Sequence, residues 1–317
     1  MRKIEYYLFF FNSNIIMQTP FDNEPIEQIP NSNEIYNIAD YDECTNFTYL
    51  MKLVLLTRKY PDLNNKIKDY KEQINMTTST GITALMFSCY FSSTLSTFET
   101  VEELIKHGAE LNKIDCNGET ALMHASRNTE SCVKTVRELI KNGADINRTT
   151  SKYRFNVLMN ASFHGKTNVQ IIQELINCEI DVNKEDKDGD NSLMLLCNSS
   201  EITKNKINIA KELIKANVNV NKINNYGWAA LPMLCHRIHV ISGLIEIYEE
   251  IIEELLKAGA DIGNKINNKS IFDILLEKGK DVYNSIKYIL IKYIKKSSID
   301  ACLETNDKEI ISMLYNI

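Results

Sequence analysis

The sequence predicts an all-α solenoid, a row of stacked antiparallel helix pairs joined by short hairpin-like turns, and three observations predict it. First, five segments open alike: Thr83-Ala84-Leu85-Met86, Thr120-Ala121-Leu122-Met123, Asn156-Val157-Leu158-Met159, Asn191-Ser192-Leu193-Met194 and Ala229-Ala230-Leu231-Pro232. Second, each closes on an amphipathic cluster and a turn, as in Glu103-Leu104-Ile105-Lys106-His107-Gly108-Ala109 and Glu138-Leu139-Ile140-Lys141-Asn142-Gly143-Ala144. Third, the step from a closing leucine to the next opening leucine is nearly constant: 18 residues (104 to 122), 19 (139 to 158), 18 (175 to 193) and 18 (213 to 231).

Within a repeat the step from opening to closing leucine runs 19, 17, 17, 20 and 24 residues, so length variation is confined to one loop. A rigid turn between repeats and a tolerant loop within them follow. Only 11 glycines and 5 prolines in 317 residues agree with a helix-rich chain whose breakers are spent on turns.

The glycines have assignable work. Gly108, Gly143 and Gly259 follow the closing helix, where a left-handed residue would cost a Cβ-bearing side chain about 1–2 kcal/mol. Gly81, Gly118, Gly189 and Gly227 precede the opening cluster and suit a tight turn, after which a threonine can cap the inner helix. Glu179 and Asn217 stand at the closing-glycine position of the third and fourth repeats. Asparagine tolerates the left-handed region and glutamate does not, so the third repeat is expected to have the least regular hairpin.

These motifs resemble the ankyrin family. Asp115-Cys116-Asn117-Gly118-Glu119-Thr120-Ala121-Leu122 and Asp186-Lys187-Asp188-Gly189 fit its repeat start closely, and the resemblance covers roughly residues 44–317. The family's usual histidine is replaced by Met86, Met123, Met159 and Met194, flexible thioethers expected to fill the same space. The recurrent T-A-L-M opening, with usage biased to Asn, Ile, Lys and Tyr, is similar to the ankyrin families of giant amoebal DNA viruses of the mimivirus kind. Such an origin implies action in host cytoplasm.

The expected organisation is an acidic, largely disordered segment (1–43), a divergent capping repeat (44–75), five ankyrin repeats (76–265), a degenerate sixth (266–296) and a truncated capping repeat (297–317). Residues 18–43 hold seven carboxylates, three prolines and no lysine or arginine. Residues 1–46 account for the whole net charge of −6, since eight carboxylates there face only Arg2 and Lys3, and the remaining 34 basic and 34 acidic residues balance. A neutral body gives no footprint for nucleic acid. No stretch has the roughly 18 apolar residues of a membrane span.

The lysine-rich stretch 264–298, with eight lysines against three carboxylates, reads as a solvated face or as a seat for an acidic partner such as the N-terminal segment. Eight dispersed cysteines without a C-x-x-C pair read as reduced thiols in a cytosolic or nuclear protein. Cys89, Cys197 and Cys235 fall where the family has a small buried residue, which predicts inert packing. Cys235-His236-Arg237-Ile238-His239 is the one cluster that could attract a metal, but it lacks a second ligand pair and reads as structural. No phosphate loop and no serine–histidine–carboxylate motif appears, so neither catalysis nor a cofactor is expected.

Solenoids of this kind bind through hairpin tips and the concave face of the inner helices. The expected partner-binding residues at the tips are Asn117, Glu119, Tyr153, Arg154, Lys187, Asp188, Tyr226 and Trp228, with Tyr226 and Trp228 as an aromatic anchor. The groove is expected to add Phe87, His124, Asn160, Leu195 and Met233. The expected function is thus a monomeric, non-catalytic scaffold for an unidentified protein, without nucleic acid or membrane. The alternative is a substrate adaptor of a ubiquitin ligase, recruiting through the N-terminal segment.

Overall fold

Leucines that one helix pair cannot bury alone make a second pair necessary, and the structure shows how that requirement is met repeatedly. The chain was analysed as a computed structural model, which describes residues 46–92, 96–127, 133–164, 167–199, 203–238 and 245–293. The expectations for residues 1–43 and 297–317, and those for Cys44, Cys132, His239 and Cys302, lie outside the described residues.

The first pair is α1 (Tyr49–Val54) with a 3-10 segment, Pro61–Gln73, kinked at Tyr70. Five inner–outer pairs follow: α2 (Ala84–Tyr90) with α3 (Phe98–Lys106), α4 (Ala121–Ser126) with α5 (Val133–Lys141), α6 (Val157–His164) with α7 (Val169–Asn177), α8 (Ser192–Asn198) with α9 (Lys204–Lys215), and α10 (Ala230–Arg237) with α11 (Ile245–Lys257). A last pair is α12 (Ile271–Lys278) and α13 (Lys280–Lys292). Inner helices stack on inner helices and outer on outer along the row. One continuous apolar cluster runs from Leu50 to Leu290, with Leu104, Leu139, Leu175, Leu213 and Leu255 all fully buried. Each such leucine contributes about 1.5–3 kcal/mol by leaving water.

Caps start the inner helices as the sequence suggests. Thr83, Thr120, Asn156 and Asn191 each accept from the amide three residues on, which belongs to Met86, Met123, Met159 and Met194 in turn. The four methionine side chains are themselves buried. The fifth repeat breaks both halves of this rule at once. Ala229 has no acceptor to offer, and the residue three on is Pro232, which has no N–H to satisfy.

Two ladders tie the repeats together. At the hairpins, Cys116 N donates to Thr80 O (2.8 Å), Ser151 N to Asn117 O (3.0 Å), Lys187 N to Tyr153 O (3.1 Å) and Asn225 N to Asp188 O (3.0 Å). This approach leaves no room at Gly118: its φ is +79°, and a Cβ there would lie 2.4 Å from Ser151 N. At the outer turns an asparagine reaches to the next repeat. Asn75 donates to Gly108 O and accepts from Glu110 N, Asn112 does the same with Gly143 and Asp145, Asn183 with Asn217 and Asn219, and Asn221 with Gly259 and Asp261.

Asn147 makes no such rung among the described residues. It faces the third repeat's turn, where Glu179 sits at φ +59°. In the other four turns the next amide closes a longer bond, as Ala109 N does to Leu104 O, whereas in the third Cys178 N bonds Leu175 O instead. The third hairpin is irregular at its other end too. One residue is inserted between the capping Thr150 and α6, and Arg154 takes the left-handed position (φ +60°) that glycine holds elsewhere.

Two stability predictions follow from the broken ladder. Asn112→Ala is expected to cost about 1 kcal/mol in urea unfolding and Asn147→Ala close to nothing; equal losses would mean that the rungs are not what binds the outer turns. Glu179→Gly is expected to stabilise by about 1 kcal/mol, since only the backbone strain of a Cβ at positive φ is removed. A destabilised variant would show that the Glu179 side chain contributes more than its strain costs.

Candidate functional site

Each hairpin is shaped by one side chain that accepts from its own loop. Asp115 Oδ1 takes the amides of Asn117 and Glu119, Asp186 Oδ1 those of Asp188 and Asp190, and Asn224 Oδ1 those of Tyr226 and Trp228. The residues between are pushed outward on a pre-formed turn. Asn117, Arg154, Lys187 and Tyr226 are exposed, Tyr226 by 66%, while Tyr153, Asp188 and Trp228 are half-buried.

Neighbouring tips touch. Lys187 Nζ lies 4.3 Å from the centroid of the Tyr153 ring and Lys152 Nζ 5.1 Å. Tyr226 Oη donates to Asp188 Oδ1 at 3.1 Å, and the carboxylate holds the phenol proton, pushing the tyrosine's pKa up. Trp228 packs partly on the core with its ring 5.2 Å from His236.

Several expected site residues are placed differently. Phe87, His124, Asn160, Leu195 and Met233 are buried, so they form the floor of the concave face and not its surface. The covering side chains come three residues later, one helical turn on, and from the preceding repeat: Tyr90 lies edge-on to His124, and Arg127 Nε donates to Asn160 Oδ1 at 2.9 Å. The half-exposed surface is instead Tyr90, Phe163, Asn198 and His236. A sequence signal for them existed. In the second, third and fifth repeats the residue just before the cap contacts the one eight positions on: Glu119 with Arg127, Phe155 with Phe163 and Trp228 with His236.

Glu119 is likewise buried, not an exposed tip residue, because it is ion-paired with Arg127 and accepts from Asn160 Nδ2 at 3.1 Å. With Asp115 Oδ2 at 3.1 Å from His124 Nε2, these five side chains lock the second hairpin onto the second and third inner helices. Ligand atoms of Asp115, Glu119 and His124 all lie within 4.8 Å of one another, a spacing that would admit a metal ion. The donor set is already engaged: Glu119 faces the Arg127 guanidinium and Asp115 Oδ1 holds two amides, so the arrangement fits a structural lock better than a metal centre.

The cysteines that follow the opening leucines are buried, and burial pushes the Cys197 thiol up to about 12 and the Cys235 thiol further in the same direction. Thiols so held are poor nucleophiles. His107 pairs with Glu103 on α3, 3.2 Å apart.

A stack of helix pairs whose hairpins project in one row defines an interaction solenoid, a class that works through an extended recognition surface. The chain belongs to the ankyrin-repeat family: the profile described as "Ankyrin repeats (3 copies)" matches residues 48–150 and 158–266. Among curated sequences it is similar to two proteins of Acanthamoeba polyphaga mimivirus described as "Putative ankyrin repeat protein L122" and "Putative ankyrin repeat protein L86", each at 34% identity, over 83 and 93 residues. The matched stretches are 25% and 28% of this chain and span only 13% and 16% of those proteins. Among solved structures it is similar to the human ASB11 ankyrin repeat domain (TM-score 0.60, 16% identity, 78% of this chain and 99% of that one). It is also similar to the ankyrin repeat domain of Bcl-3 (TM-score 0.56, 18% identity, 77% and 99%). These two likenesses are of fold. No helix among the described residues is long and apolar enough to cross a membrane.

The fourth hairpin carries a pH signature. Burial, reinforced by the charges of Asp190 and Asp188, pushes the Asp186 carboxyl up to about 6 against the two amides that favour its anion. A folded value above the unfolded one means that this group's ionisation costs stability, and the cost grows as pH rises from about 4 through 6. Asn224 performs the same capping without charge, so Asp186→Asn is expected to stabilise by about 1 kcal/mol at pH 8 and not at pH 4. Urea midpoints that shift equally at both pH values would contradict this origin.

Proposed function

We propose that the chain is a non-catalytic scaffold that binds a protein partner, from the host cell if the chain is viral, through hairpin tips and the adjoining concave face. One observation carries the reading: the tips of hairpins three to five hold Arg154, Lys187 and Tyr226 exposed, with Tyr153, Asp188 and Trp228 half-buried beside them, on turns braced by their own capping side chains and by the inter-repeat ladder. Pre-braced aromatic and cationic side chains lose little conformational freedom on docking, which is where interface free energy concentrates.

Asn117 extends this surface along the second hairpin. Glu119, Phe87, His124, Asn160, Leu195 and Met233 act from behind it, by fixing where the half-exposed Tyr90, Phe163 and His236 stand. The partner surface proposed here is therefore one turn further along each inner helix than the motif alone suggests. The site of action proposed with it is the cytoplasm of the host, with the chain acting as a monomer.

The test is affinity purification from amoebal cells with quantitative mass spectrometry, comparing the native chain with Tyr226→Ala/Trp228→Ala. The pair is expected to lower recovery of the specific interactors by tenfold or more, as removal of about 2 kcal/mol would. Undiminished recovery, with folding verified by circular dichroism, would remove the tips from the interface. If deleting residues 1–43 strips ubiquitin-ligase components while other interactors stay, the adaptor reading replaces the plain scaffold.

A further inference from the structure

Counted from the capping residue onward (78–82, 115–119, 150–155, 186–190 and 224–228), the five turns that open the inner helices α2, α4, α6, α8 and α10 carry basic side chains only in the third and fourth. Lys152, Arg154 and Lys187 are all exposed, and Lys152 and Lys187 flank the ring of Tyr153. The acidic residues of the same two turns are withdrawn: Asp186 and Asp190 are buried under the loop amides and Asn224, and Asp188 is bonded to Tyr226. Beside this cationic rim lies a separate apolar cluster, Phe155, Met159 and Leu195, edged by the half-exposed Tyr153 and Phe163. Three cations around an aromatic patch call for a ligand that carries both carboxylates and apolar side chains.

We propose that residues 18–43 of this same chain occupy the rim formed by hairpins three and four, competing with the protein partner for it. The chemistry is complementary. The segment carries Asp22, Glu24, Glu27, Glu34, Asp40, Asp42 and Glu43 with no lysine or arginine, and intersperses Phe21, Ile26, Ile29, Ile35 and Tyr36. It also reaches. Helices pack about 10 Å apart, so the third hairpin stands roughly 30 Å from the first helix pair, and 20 extended residues span up to about 66 Å.

The lysine-rich sixth repeat is the rival seat, and three of its described lysines are engaged elsewhere. Lys287 is buried beside the rings of Tyr283 and Tyr288, Lys269 is paired with Glu277, and Lys292 lies 3.6 Å from Glu253. The proposal rests on the reading of the tips as a docking surface, but its test does not need the partner.

Carbodiimide coupling of the full chain, mapped by mass spectrometry, is expected to join Lys152 or Lys187 to a carboxylate of residues 22–43 within one molecule. A labelled peptide of residues 18–43 should also bind in trans to a full chain whose seven segment carboxylates are replaced by amides. Lys152→Glu/Arg154→Glu/Lys187→Glu should weaken that binding about tenfold, as three exposed ion pairs together would, whereas Lys134→Glu/Lys141→Glu/Lys215→Glu on the outer helices should leave it unchanged. Couplings confined to other lysines, couplings found only between isotopically distinct copies, or equal peptide affinity for the two reversals would each overturn the proposal. None of these outcomes bears on whether a partner binds the tips, so the two readings fail separately.

Discussion

No helix pair in this chain can bury its own leucines, and everything else in the structure is a consequence of letting the neighbouring pair do it. The cluster from Leu50 to Leu290 is continuous because each inner helix presents apolar residues to the helices on both sides as well as to its own partner. Such sharing requires repeats to approach closely and at a constant spacing. The connection between repeats is therefore rigid in length, and at Gly118 the backbone of the next hairpin lies within reach of where a Cβ would be. The loop inside each repeat carries no such constraint and varies freely.

Polar groups are arranged around that constraint. Hairpin amides are satisfied by Asp115, Asp186 or Asn224, and outer-turn carbonyls by asparagines of the preceding repeat. Where the second ladder lapses, between Asn147 and the turn at Glu179, the two repeats are held instead by Arg127, Asn160 and Glu119 beneath the concave face and by the Arg137–Glu174 pair across the outer helices. A stack with nearest-neighbour cohesion tolerates such exchange, since each junction has only to hold its own two repeats.

The proposed binding surface inherits its character from the same economy of space. Side chains four residues past each cap are buried and set the floor; of those seven past it, Tyr90, Phe163, Asn198 and His236 remain half-exposed and meet the solvent, while Arg127 is drawn down over Glu119 and Asn160. The charged rim of hairpins three and four arises because Asp186 serves its own turn while Asp188 and Asp190 accept from Tyr226 and Asn224 of the next hairpin, which leaves Lys187 as the outward charge.

How much of this was legible in the residues alone depends on whether the cause is local. Helix positions, caps at Thr83 and Thr120, buried methionines and the irregular third hairpin were determined by the sequence, because spacing, capping chemistry and the cost of a Cβ at positive φ act within a few residues. Which side of an inner helix stays wet was decided only by the tertiary structure. Tyr90 covering His124 and Arg127 crossing to Asn160 depend on the offset between adjacent repeats, and Glu119 looked like an exposed tip residue until Arg127, eight residues on, folded back over it. A single repeat encodes its own hairpin; burial at a repeat junction belongs to two repeats at once, and no local pattern contains both.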